Sequence, residues 1–169
     1  YYTAVESFAP RKTHSCVAVS KDGIHWERPD LGIVEYNGNT NNNMIKAGGA
    51  IFIDPKAPAD ERFKCMTWRR RGEPQERGIF MRTSPDGIHF SDKRVRVAPF
   101  SPDTTNQMFY DSRIDKYVAY LRSWNPWRKV VRCAVEDPMK PWPYDKSVEP
   151  FHLWGPDQAP VPSSEMPTA

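Results

Sequence analysis

Short apolar runs separated by polar turn signals recur along the whole chain. The runs Tyr1–Val5, Ser15–Val19, Ile51–Asp54, Arg62–Trp68, Gly78–Arg82, Asn106–Asp111, Lys116–Arg122 and Val130–Val135 are rich in β-branched and aromatic residues and read as strands. No segment holds the 3.6-residue apolar period of an amphipathic helix. The stretches 29–42 and 138–167 are Pro- and Asn-rich and read as loops.

These signals belong to a repeat. Ser20-Lys21-Asp22-Gly23-Ile24-His25-Trp26 returns 64 residues on (20 to 84) as Ser84-Pro85-Asp86-Gly87-Ile88-His89-Phe90. A degenerate third copy, Glu136-Asp137-Pro138-Met139-Lys140-Pro141-Trp142, follows after a further 51 (86 to 137). Each copy comes after a strand-like run, so the motif reads as strand, Asp-Gly turn, strand. Asp-Gly tolerates the positive φ of a tight turn, and the Asp side chain bonds back to the turn backbone. Asp22 and Asp86 are therefore expected to be turn residues. The aromatic is expected to pin the turn onto a neighbouring strand, and His25 and His89, repeated with it, are expected to serve packing. Interleaved with this motif are two strand pairs whose connecting loops carry Asp. The loops are Ala59-Asp60-Glu61 and Ile114-Asp115, and Asp54 and Asp111 open them as structural residues.

One full unit is thus four antiparallel strands in about 50–65 residues, the size of a propeller blade. The expected class is all-β. Residues 1–169 form a single β-propeller region holding about two complete blades and parts of two others. Unpaired blade edges are an aggregation liability, so the expectation is a fragment of a longer propeller.

Composition narrows the partners. Seventeen prolines against nine glycines argue against a helix bundle, and six Trp, seven Tyr and eight Phe argue against a disordered chain. No run approaches the roughly 18 apolar residues of a membrane span. The net charge of +3 is spread through the chain, too weakly for a nucleic-acid binder. Its densest run, Arg69-Arg70-Arg71 with Arg77 nearby, reads as a solvated loop or as a partner for Glu73 and Glu76. The three cysteines, Cys16, Cys65 and Cys133, have neither disulfide nor zinc spacing and are expected to be buried thiols. They leave the compartment open. No phosphate-loop, dinucleotide or zinc-helix motif is present, so neither cofactor nor metal is expected.

Several elements together resemble the five-bladed β-propeller glycosidases of the family 32 and family 43 superfamily, its bacterial members in particular. They are Ser20-x-Asp22-Gly23-x-x-Trp26, Asn42-Asn43 before an apolar strand ending Asp54-Pro55, Glu61-Arg62-Phe63-Lys64, and Ser101-x-Asp103-Thr104-x-Asn106-x-x-Phe109-x-Asp111 followed by Lys116-Tyr117. The resemblance covers nearly the whole chain. It implies acidic groups at the starts of innermost strands, pointing into an axial funnel, with one carboxyl protonated to assist the leaving oxygen and another charged. Three segments would then start innermost strands: around Asn43, around Asp103 to Asn106, and around Glu165. They are spaced by 60 (43 to 103) and 62 (103 to 165) residues.

On this resemblance Asp103 is the orienting or nucleophilic carboxylate and Glu165 the general acid. Asn43 stands where the family's first catalytic Asp belongs, and Asn can neither act as a base nor carry charge. Either another blade supplies that Asp or the chain departs from the family's chemistry. The substrate-binding candidates are Asn42, Asn43, Asn106, Trp68, Arg122 and Trp124. Asn amides bond sugar hydroxyls, aromatic faces stack on sugar rings, and Arg forks bind carboxylates or sulfates. The same Trp and Arg side chains equally suit packing between blades. The expected partner is a plant, algal or microbial polysaccharide or oligosaccharide, which suits a secreted or periplasmic location better than a cytoplasmic one. The competing readings are a non-catalytic carbohydrate-binding propeller and a protein-interaction propeller.

Overall fold

A computed structural model of the chain describes residues 1–99, 102–103, 106–123 and 129–143. Among these, nine strands form three antiparallel sheets, two short 3-10 turns (Ala59–Glu61 and Pro74–Glu76) lie between strands, and there is no α-helix. No described helix is long and apolar enough to cross a membrane. The chain is therefore all-β, as its apolar pattern predicts, and among the described residues the sheets do not close on themselves.

The first sheet pairs β1 (Tyr2–Phe8) with β2 (Arg11–Cys16). The expected strand Ser15–Val19 starts earlier than its apolar run. Beyond Cys16 its pairing continues irregularly: Val17 N–H donates to the Asn43 carbonyl and Ile45 N–H to that of Ser15, each at 2.9 Å, and Val19 bridges Glu27.

The second sheet is the four-strand unit that the repeat predicts. It runs β3 (Ala50–Ile53), β4 (Phe63–Arg69), β5 (Gly78–Ser84), β6 (Val95–Ala98), with neighbours in chain order. In antiparallel pairs, facing residues share a side of the sheet. Met66 faces Met81 and Trp68 faces Ile79, whereas Cys65 faces Arg82. Met66, Ile79 and Met81 belong to one apolar cluster and Cys65 to another. Met66, Ile79 and Met81 pack in a core with Met108, Tyr117, Ala119, Leu121 and Trp142. Cys65 packs with Val17, Ile45 and Ala47, against which Ile88 and Phe90 also lie. The middle sheet is thus covered on both sides, and β5 accordingly lacks a polar-out alternation. Met66, Ile79, Met81 and Leu121 are all 0 % exposed. Burial of side chains this size contributes about 1.5–3 kcal/mol each.

The third sheet runs β7 (Gln107–Asp111), β8 (Lys116–Ser123), β9 (Lys129–Val135). Its inner side carries Met108, Tyr117, Ala119, Leu121, Val131 and Cys133. On the other side Phe109 stacks with Tyr120, and Val130 is exposed. All three cysteines are free and buried, as expected. Burial pushes the thiols of Cys65 and Cys133 up to about 11 and about 12.

Candidate functional site

The repeated turn is a closed hydrogen-bond device. Ser20 Oγ accepts from the N–H groups of Asp22 and Gly23 at 3.3 and 2.8 Å. Asp22 Oδ1 accepts from the N–H groups of Ile24 and His25, each at 2.8 Å, and Oδ2 lies 2.6 Å from His25 Nδ1. The second copy repeats this with Ser84, Asp86, Ile88 and His89. Gly23 and Gly87 both adopt φ +77°, the conformation that favours glycine. The hydrogen bond from the His25 ring, followed by those of the His25 and Ile24 backbone, holds the Asp22 carboxyl well below the usual carboxylate range. At Asp86 burial works the other way, and the ring and backbone hydrogen bonds of His89 with that of Ile88 outweigh it.

Asp22 and Asp86 are turn residues here. Two expectations need correction. His25 and His89 are exposed, and their rings close the turn against the carboxylates of Asp22 and Asp86 instead of packing. Trp26 is 62 % exposed, and its indole N–H turns back to the Gly23 carbonyl at 3.2 Å. The aromatics of the other two copies, Phe90 and Trp142, do pack, each against an apolar cluster.

Carboxylate chemistry of another kind sits where the third sheet begins. Asp103 precedes β7 and is 8 % exposed. Arg70 Nη1 lies 2.8 Å from its Oδ1, and Arg122 Nη1 lies 3.3 Å from its Oδ2. One guanidinium comes from the chain leaving β4 of the middle sheet, the other from β8. Asn106 fixes this geometry. Its amide donates to the Asp103 carbonyl at 2.6 Å, while its own oxygen accepts from Arg122 N–H at 2.9 Å. Asp103 N–H in turn donates to the Arg122 carbonyl at 3.1 Å. The carboxylate is thus held from both sides on a locked backbone. Such a group orients a ligand or stabilises positive charge.

Beside this clamp is an open cavity of about 540 Å³ lined by Trp68, Arg69, Arg70, Arg71 and Gly72. Arg69 is paired with Glu76 at 3.3 Å, the intramolecular partnership expected for this run. Arg70, by contrast, reaches Asp103, which the sequence reading missed. The signal was the triple-Arg run directly after the Trp68 strand. Its target is 33 residues away in sequence and meets it only because the two sheets stack.

At the other end of the sheets, where β3 ends and β8 begins, a second cavity of about 490 Å³ is lined by Asp54, Lys64, Tyr117, Asp137 and Lys140 among others. Lys64 is 2 % exposed. It bonds the Glu61 carbonyl at 3.0 Å and its carboxylate at 3.2 Å, and lies 3.6 Å from Asp54 Oδ2. The Tyr117 hydroxyl donates to Asp54 Oδ1 at 2.6 Å. Lys64 is paired with Asp54 and Glu61, and Lys140 with Asp137, which suits a polar staple between sheets.

Among the sequence candidates, Asp103, Asn106 and Arg122 come together, and Trp68 lines the adjoining cavity. Asn42 and Asn43 belong to a separate network. The Asn42 amide donates to the Val34 carbonyl at 2.7 Å and its oxygen accepts from Met44 N–H at 3.0 Å. The Asn43 amide donates to the Val17 carbonyl at 2.6 Å and to the Tyr2 hydroxyl at 2.8 Å. Residues 43–45 pair with the first sheet and do not open β3, unlike the segment at Asp103, which pairs with β8 of its own sheet. Glu165 and Trp124 lie outside the described residues. Among the described residues no group of three or more His, Cys, Asp or Glu side chains converges as a metal site.

No family model, no curated protein and no solved structure matches this chain.

Proposed function

We propose that the three stacked sheets are successive blades of a β-propeller and that the protein is a glycosidase-like hydrolase of polysaccharide or oligosaccharide. The observation that carries this reading is the Asp103 clamp. A buried carboxylate stands at the entrance to the first strand of its sheet, held by Arg70 and Arg122, with an aromatic-lined cavity beside it. In paired-carboxylate chemistry Asp103 is the charged member, orienting the sugar and stabilising the oxocarbenium-like transition state, and Glu165 is the acid. Asn106 and Arg122 position Asp103, and Trp68 offers its ring face to a sugar.

The test is reducing-sugar release from a panel of plant, algal and microbial polysaccharides by the wild type and by Asp103→Asn. We expect turnover of a substrate by the wild type and a drop of about 100-fold or more in the variant, the scale of losing one positioned charge from a transition state. Unchanged turnover in a folded Asp103→Asn removes that residue from the mechanism.

One observation favours a second reading, a carbohydrate-binding propeller without catalysis. Asn43, at the position matching the family's first catalytic Asp, spends its amide on Val17 and Tyr2. Such a protein binds the glycan and releases no sugar.

A further inference from the structure

We infer that the cavity between the first and second sheets binds a phosphomonoester, a small organic molecule carrying a phosphate group. The inference stands apart from the carbohydrate reading and concerns a different cavity.

This cavity, of about 380 Å³, lies between β2, residues 44–48 and the middle sheet, and shares only Trp68 with the cavity beside Asp103. Among the described residues no Asp or Glu lines it, whereas the cations Lys46, Arg82 and Arg94 do. Arg82 is 3 % exposed. Its guanidinium donates to the carbonyls of Ser91 and Lys46, each at 2.6 Å, and of Phe90 at 3.1 Å. These carbonyls hold the group in place and carry no charge to answer it. The carboxylate of Asp92 lies 3.9 Å away and is fully exposed. Burial, and after it the like charge of Arg94, hold the Arg82 guanidinium below its ordinary pKa. A buried charge is ordinarily paired at close range, and here the charge beside it has the same sign.

Lys46 and Arg94 are exposed and have no ion pair among the described residues. Glu6 lies 2.7 Å from the His14 ring on the β2 wall, but Lys12 takes the same carboxylate at 2.9 Å, so it brings no negative charge to spare. Three cations against Asp92 thus leave two positive charges unanswered.

That surplus matches a dianion. A phosphomonoester carries close to two negative charges at neutral pH, and its oxygens suit the fork of a guanidinium. Ser15 and Thr67 on the same walls supply hydroxyl donors. A phosphate group occupies only part of the cavity, and Trp68 and Met44 line the remainder with apolar surface for the organic part of the ester.

Calorimetric titration of the protein at neutral pH with phenyl phosphate, phenyl sulfate and inorganic phosphate tests this. Phenyl sulfate keeps the shape and carries a single charge, whereas inorganic phosphate keeps the charge and lacks the organic part. Phenyl phosphate is expected to bind at least about five-fold more tightly than either, and to be weakened about five-fold in Arg94→Gln and in Lys46→Gln, the scale of one exposed ion pair. Both positions are exposed, and unchanged melting temperatures of the unliganded variants show that the loss is not unfolding. Should one variant fail to fold, the other carries the comparison. Equal binding of phenyl sulfate, equal binding of inorganic phosphate, or phenyl phosphate binding indifferent to both substitutions overturns the inference. So does the absence of phenyl phosphate binding. The titration does not read polysaccharide turnover, so each of these outcomes leaves the carbohydrate reading as it stands.

Discussion

The hydroxyl of Tyr117, on the third sheet, donates to the carboxylate of Asp54, on the second, at 2.6 Å, and Asp54 itself is 4 % exposed. This bond is a buried polar link between two sheets that also meet through apolar contacts and through the Arg70–Asp103 pair. It also completes a buried group in which Asp54 Oδ1 takes the Lys56 N–H at 2.9 Å and Oδ2 faces Lys64 at 3.6 Å.

Tyr117→Phe deletes one donor and little volume. A hydrogen bond to a buried charged group is worth about 1.5–3 kcal/mol, and we expect a loss of stability in that range by urea unfolding. Burial, with the neighbouring Asp54 charge, raises the Tyr117 phenol well above its ordinary range. A phenol raised in the folded state contributes stability that is complete below the unfolded tyrosine's pKa, about 10, and is lost as pH rises beyond it. The wild type should therefore lose stability faster than Tyr117→Phe above that pH. Parallel alkaline curves would remove Tyr117 from the linkage.

The two turn glycines share φ +77° and differ in surroundings. A Cβ at Gly23 meets nothing within 4 Å, whereas one at Gly87 runs into the Tyr1 hydroxyl and the Phe63 ring, 2.8 Å from its nearest carbon. Gly23→Ala should cost about 1–2 kcal/mol, the strain of a left-handed residue alone. Gly87→Ala should cost a further 1–3 kcal/mol or so for overpacking. Equal losses in paired denaturation curves would mean that Phe63 yields without penalty.

Asp22, Asp86 and Asp111 all carry depressed carboxyl pKa values, Asp111 at about 2 chiefly through its hydrogen bonds from the Arg113 side chain. A carboxyl lowered by folding stabilises the fold above its unfolded pKa, about 3.9, and loses that contribution as pH falls toward the folded value. Melting temperature should drop steeply below about pH 4, and the double variant Asp22→Asn, Asp86→Asn should show a shallower drop from a lower starting point. Identical acid slopes for variant and wild type would count against these carboxylates as the source.

Much of the strand pattern was legible because each run is itself β-rich. Lys116–Ser123 and Gly78–Ser84 fall within a residue or two of the apolar runs that mark them. The turn bonds were legible too, since Ser20, Asp22 and Gly23 are adjacent in sequence. β6 leaves little trace in the apolar pattern, because Val95–Ala98 is only four residues long and follows a charged stretch. The solvent-facing histidines were misread because repetition marks structural use without saying whether that use is packing or hydrogen bonding. The meeting of Arg70 with Asp103 was invisible for a different reason. It arises from the stacking of two sheets, and no local pattern encodes which ends of two sheets coincide.

The Ser-x-Asp-Gly turns have one more consequence, which concerns the order of events in folding. Every bond that closes such a turn spans two or three residues. The search for it is short and its closure entropy small, so it can form while the rest of the chain is still extended. All-β chains fold slowly because their pairings are distant in sequence. Here each early-formed turn already sets the direction in which the chain leaves the strand before it. The distant problem that remains is laying one sheet upon the next.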